Sequence, residues 1–135
     1  VRRPAPGRPA GELAAALLLA GALAAGCSRP SAPGDAAAVL QAEARAAFST
    51  RCSSCHGAQG AGDGPVSAGL QPPPRDLRDP AWQASVSDAH IERVVAGGGP
   101  AVGRSAAMPA HPDLASSPAL LAALRAYVRQ LAPAR

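Results

Sequence analysis

The sequence predicts a small all-α fold of three to four helices joined by long irregular loops. Apolar residues recur at the helical period in three segments, and no run alternates as a half-buried strand does. Between those segments, residues 57–80 and 97–116 carry no period, and loops of that length are uncommon in a compact domain unless they wrap something. Composition points the same way. The hydrophobic fraction is 47 %, but more than half of it is alanine, with one Phe, one Trp, one Tyr and one Met in 135 residues. A domain of about 100 residues buries only a modest share of its surface even with a good core, and these side chains are too small to fill one. Apolar bulk from outside the chain is expected.

The first quarter of the chain is not read as part of that domain. Arg2, Arg3 and Arg8, the apolar run Leu13 to Ala25 and the small residues ahead of Cys27 have the layout of a secretory signal over residues 1–26. The run is too short to span a bilayer as a helix. Export places the protein on the periplasmic side, an oxidising compartment. Leu23-Ala24-Ala25-Gly26-Cys27 resembles the lipobox of bacterial lipoproteins, in which the cysteine becomes the lipidated first residue. Ala25 and Gly26 fit that pattern, whereas Leu23 stands one place early; cleavage after Ala22-Leu23-Ala24, leaving Cys27 as a free thiol, is the alternative. Ser28 to Gly34 is a Pro/Ser/Gly tether. Residues 27–34 are therefore expected to form a lipid anchor to the membrane and its tether, and residues 35–135 the folded domain. Without residues 1–26 the chain keeps ten Arg against eight Asp and Glu. That near-neutral balance, with no basic patch interleaved with aromatics, excludes nucleic acid as a partner.

Three helices are expected in the folded part. The first starts at Asp35 as N-cap, puts Leu40, Ala44, Ala47 and Phe48 on one face and ends close to Cys52. The second starts near Ser87, groups Ile91, Val94 and Val95, and stops at Gly97-Gly98-Gly99. The third has Ser117 as N-cap and Pro118 at the first helical position, with Leu120, Leu124, Tyr127, Val128 and Leu131 as its stripe.

Cys52-Ser53-Ser54-Cys55-His56 carries the chemistry. Cysteines separated by two residues lie on one face of a helical turn, and the adjacent imidazole projects from the same turn. This order is the attachment signature of haem c, with two thioether tethers and the histidine on the iron. Zinc wants a fourth ligand and usually a second paired motif; a thioredoxin-like redox pair follows a strand, not a helix; a plain disulfide is the remaining reading for an exported pair. For the second axial position the candidates are Met108, His90 and His111. Met108 is the single methionine and sits in a loop 52 residues after His56, not on a helical stripe where a core methionine would be. Thioether ligation opposite an imidazole raises the reduction potential. His111, three residues further on, is the competing ligand, and His90 is read as a surface residue of the second helix.

On these residues, Cys52, Cys55 and His56 followed by Met108-Pro109, the chain resembles the single-haem class I c-type cytochromes over roughly residues 36–132. The resemblance implies that an aromatic four places before the first cysteine, here Phe48, packs against a Leu-x-x-aromatic pair, here Leu124 and Tyr127, with small Ala44 allowing the helices to cross closely. "GDGPVSAGLQPPPRDL" is similar to a subgroup of exported bacterial members, and the family's use of a proline carbonyl to accept the histidine Nδ1–H points to Pro65. No lysine occurs in the chain, which argues against docking through a ring of lysines.

The haem would also supply the missing bulk, with Phe48, Leu70, Trp82, Ile91, Val95, Leu124 and Tyr127 around it. If His56 and Met108 fill both axial positions, no place is left for substrate, and the expected function is non-enzymatic electron transfer between unidentified redox partner proteins. A fixed subunit of a membrane respiratory complex or dehydrogenase is the alternative, and an open iron acting as peroxidase or gas sensor is the third reading, with His111 as the nearby acid or base. Arg75 and Arg78 are candidates to screen the haem propionates, or are plain solvated charges. One prediction follows from the composition: the Cys52→Ala, Cys55→Ala chain without haem is expected to be largely unfolded, and a native-like near-UV circular dichroism spectrum from it would contradict this.

Overall fold

A computed structural model of the protein describes residues 33–133. The expected signal over 1–26, Cys27 and the tether up to residue 32 lie outside the described residues. Among those described, the chain is helical with no strand, as an all-α protein. Helix α1 spans Pro33–Ala47 and runs without a break into a π-helical turn, Phe48–Cys52, and a short α2, Ser53–His56. It begins two residues ahead of the expected cap at Asp35, with Pro33 and Gly34 in its first turn. A proline suits that place because its missing N–H would have no partner there.

The remaining helices are α3 (Pro80–Ser85), α4 (Asp88–Gly97), α5 (Pro112–Ala115) and α6 (Pro118–Gln130). Local chemistry sets several of these boundaries. The Asp79 side chain accepts from the Ala81 N–H and caps α3, and the Ser87 hydroxyl accepts from the His90 N–H at 3.1 Å and caps α4. These bonds satisfy amide groups that a helix start leaves without partners. Helix α4 stops where expected, at Gly98, whose φ of 73° lies in the left-handed region. At α6, Pro118 occupies the first turn as expected, while the Ser117 hydroxyl makes no capping bond. The short helices α3 and α5 were not expected; neither is long enough to display a period.

The two long loops are largely irregular as expected, with single 3-10 turns at Ser67–Gly69 and Gly99–Val102. No helix among the described residues is long and apolar enough to cross a membrane.

Helices α1 and α6 make the most extensive contact of any pair of elements. Ala44 and Leu124 at this crossing are fully buried, Phe48 and Val128 nearly so. Phe48 meets Tyr127 with ring centroids 5.1 Å apart and planes tilted by 58°, a geometry worth about 0.5–1.5 kcal/mol beyond area burial. Ala44 matters because it is small: a larger side chain would push the two backbones apart. The core cluster adds Ile91 and Val95 from α4, Leu114 from α5 and Leu77 from the first loop. Trp82, Tyr127 and Cys52 pack half-buried against it. Leu70, expected to pack around the haem, is half-buried, and the first loop also contributes Leu77 to the buried core.

Outside this core, α4 is tied to α6 by charge. Arg125 bonds Asp88 at 2.6 Å and Glu92 at 3.2 Å, and Arg129 bonds Asp88 at 2.9 Å. Single exposed pairs of this kind contribute little, about 0.2–1 kcal/mol each, so apolar packing carries most of the stability. Leu124→Ala is predicted to destabilise the haem-loaded protein by about 2–5 kcal/mol and Ala44→Leu by about 1–3 kcal/mol, both read as lowered denaturant midpoints.

Candidate haem site

The site begins with the wide turn that ends α1. Thr50 Oγ1 donates to the Ala46 carbonyl at 2.8 Å and Ser53 Oγ to the Ser49 carbonyl at 2.6 Å. Such hydroxyl bonds to the preceding turn compete with regular backbone pairing, and here they flank the π turn. The Ser53 N–H bonds the Phe48 carbonyl, five residues back. Cys52 closes this turn and packs against the core cluster, while Cys55 and His56 follow on α2. No disulfide joins the two cysteines. Burial pushes the Cys52 thiol up to about 11, against the opposing influence of Arg51.

Helix α2 is a single turn, so its carbonyls need partners from elsewhere. The loop after it supplies them. The Gly57 N–H takes the Ser53 carbonyl at 2.9 Å, Val66 takes Ser54 at 3.0 Å, Gly64 takes Cys55 at 3.1 Å and Gly62 takes His56 at 2.8 Å. This stitching explains the glycine-rich stretch after the motif. A Cβ on Gly64 would lie 2.3 Å from the Ser54 carbonyl oxygen. At Gly62, φ is +79° and a Cβ would lie 2.6 Å from the Pro74 carbonyl oxygen, so only glycine lets residues 74–76 lie against the loop.

That close approach orients His56. Its Nδ1 stands 3.0 Å from the Arg75 carbonyl oxygen. A carbonyl only accepts, so Nδ1 carries the proton and donates it, and the lone pair of the neutral ring is on Nε2. Burial holds the imidazole below its usual pKa, opposed by the bond to Arg75, and so favours the neutral form a metal requires. The acceptor differs from the one expected. Pro65 is exposed and lies in the stitched loop between Gly64 and Val66; the carbonyl at Nδ1 belongs to Arg75, behind the run Pro72-Pro73-Pro74. A backbone acceptor leaves no side-chain signature. The one usable signal was the proline run itself, which restricts the backbone leading into Arg75.

Met108 sits half-buried in the second long loop. Its carbonyl accepts from Gly99 N–H at 3.0 Å and its N–H donates to Ser105 at 3.2 Å, which closes residues 99–108 into a ring against the end of α4. The His111 N–H bonds the Val95 and Ala96 carbonyls at 3.2 and 3.1 Å, pinning the other end of the loop to α4. An ion pair between Arg51, beside Cys52, and Asp113, in α5 just past this loop, ties the two halves together. The structure thus gathers Cys52, Cys55 and His56 on one turn and fixes Met108 on a separate, anchored loop. His90 lies half-buried in the first turn of α4.

The donor set fits haem c. Two cysteines with no disulfide between them and an imidazole with Nε2 available come from two consecutive turns, beside a core short of large side chains. Cys52 and Cys55 would carry the thioether bonds and His56 Nε2 would bind the iron. Bound there, the haem supplies one-electron exchange between Fe(II) and Fe(III). The chain's own residues orient the ligand ring through Arg75 and hold it neutral by burial, with Cys52 packed against the core.

A helical protein with a turn of this kind is a haem-binding electron-transfer protein. A family model described as cytochrome c matches residues 41–132, well over half of the chain, and the chain belongs to that family, whose cofactor is covalently attached haem c. No curated protein and no solved structure matches it. The glycine at position 62 gives a prediction: Gly62→Ala destabilises by more than about 1 kcal/mol, because its φ is positive and the neighbour is backbone. Gly69→Ala, with nothing within 4 Å, costs less than that in the same denaturation measurement.

Proposed function

We propose that the chain is a single-haem electron carrier whose iron is held between His56 Nε2 and Met108, exported and held on the periplasmic side of a bacterial membrane by a lipid on Cys27. The observation that carries the reading is the bond from His56 Nδ1 to the Arg75 carbonyl, which directs the other ring nitrogen to a metal. The closed ring of residues 99–108 supports Met108 as the opposite ligand, since a ligand on an anchored loop is ordered before it binds. His111, whose backbone N–H bonds the end of α4, is the competing ligand that the test below separates from Met108. With both axial positions filled by the protein, the iron takes part in outer-sphere electron exchange and not in catalysis, and redox proteins are its partners.

The oxidised protein is expected to show the sulfur-to-iron charge-transfer absorption band. Met108→Ala abolishes the band and lowers the reduction potential, because thioether ligation favours Fe(II); His111→Ala leaves both unchanged. A high-spin oxidised spectrum in the unaltered protein, or a band that survives Met108→Ala, would contradict this ligation.

A further inference from the structure

The Arg75 carbonyl that orients His56 belongs to a short segment held on several sides. The Leu77 N–H donates to the Gly60 carbonyl at 2.7 Å, and the Leu77 side chain is buried. Two peptide units past Arg75, the Leu77 carbonyl accepts from Gln83 Nε2 at 2.7 Å. The same amide nitrogen donates to the Val128 carbonyl at 2.9 Å, near the end of α6. Gln83 Oε1 accepts from Arg129 Nη1 at 2.9 Å. An arginine only donates, so this contact fixes which end of the amide faces which partner. Arg129 is itself held by Asp88 at 2.9 Å and by the Val86 carbonyl at 2.7 Å.

We propose that Gln83, fixed in place by Arg129, is a positioning residue for the haem ligand: it straps residues 75–77 onto α6 and sets how firmly the Arg75 carbonyl accepts from His56 Nδ1. The proposal rests on His56 as an iron ligand. Both hydrogens of the Gln83 amide are spent on carbonyls of two parts of the chain, the first loop and the last helix, which otherwise meet only through apolar packing of Leu77. Without them residues 75–77 keep only the Leu77 N–H bond, the buried Leu77 side chain and the local bond of Arg78 N–H to Asp76, and the Arg75 carbonyl gains freedom to tilt away from the ring. A firm bond at Nδ1 raises the donor strength of the opposite nitrogen. Stronger donation favours Fe(III), so the strap lowers the reduction potential and loosening it raises the potential.

The test uses the haem-loaded protein. In the Fe(II) state, nitrogen-15 NMR reads the solvent exchange of the His56 Nδ1–H, and voltammetry reads the potential. Gln83→Leu is expected to speed that exchange by about tenfold or more and to raise the potential. Gln83→Glu keeps the contact with Arg129 and loses both donors; it is expected to speed exchange likewise, and it serves where the leucine variant does not fold. Glu92→Gln removes the charge of one partner of Arg125 in the neighbouring ion network without touching Gln83, and leaves the Nδ1–H exchange at its original rate. Unchanged Nδ1–H exchange in the Gln83 variants, even with lowered stability, would overturn the proposal and leave Gln83 as a stitch between loop and helix. Failure of the underlying ligation would look different: the His56 ring protons of the unaltered Fe(II) protein would lack the large upfield shift that a haem imposes on its axial ligand.

Discussion

A one-turn helix cannot satisfy its own carbonyl groups, and the turn Ser53–His56 has to keep Cys55 and His56 in register with Cys52 just before it while its backbone is completed from outside. The loop through residues 57–66 does this with four hydrogen bonds in sequence, each from a backbone N–H of the loop to one carbonyl of the turn. Much else depends on that stitching. It demands glycine where the two backbones touch, it brings residues 74–76 against Gly62, and it thereby puts the Arg75 carbonyl at His56 Nδ1. A histidine so held has one proton position and one free nitrogen. The redox chemistry of the family therefore traces back to the hydrogen-bond needs of a four-residue helix.

The second constraint is volume. With one Phe, one Trp and one Tyr in the chain, the core cannot be assembled from large side chains alone. The chain responds by crossing α1 and α6 tightly at Ala44 and Leu124 and by placing Phe48 against Tyr127. Cys52 is packed against the same cluster, so a group tethered there extends the core instead of sitting apart from it. The ion pairs of α4 with α6 lie at the edge of this arrangement and fix the angle of the helices more than they stabilise them.

The parts of the molecule legible in the sequence are those written in side-chain type and period. The Cys-x-x-Cys-His order, the start of α4 at Ser87 and its end at the glycine run are of this kind, since each is a local signature or preference, whereas the crossing pair Phe48 and Tyr127 comes from the resemblance to c-type cytochromes. What could not be read lies in the backbone. The acceptor for His56 was sought at Pro65, because the proline was visible, whereas the carbonyl that does the work is that of Arg75. The burial of Leu77 could not be read either, because loop geometry, with no period, decides which leucine turns inward. Gln83 belongs to no motif or repeating face, and only the fold brings its amide between Leu77 and Val128. Helices α3 and α5 were too short to announce themselves, although Asp79 before Pro80 is the cap-and-proline pair that starts one of them.

The central claim, that the turn at Cys52 to His56 exists to hold one covalently attached haem, is tested most directly by mass spectrometry of the protein isolated from its native host. The account predicts an intact mass raised by a single haem, and a proteolytic peptide containing Cys52 and Cys55 that carries it through both sulfurs. Free thiols, or a disulfide between the two cysteines, on a protein that transfers electrons in its host would contradict it.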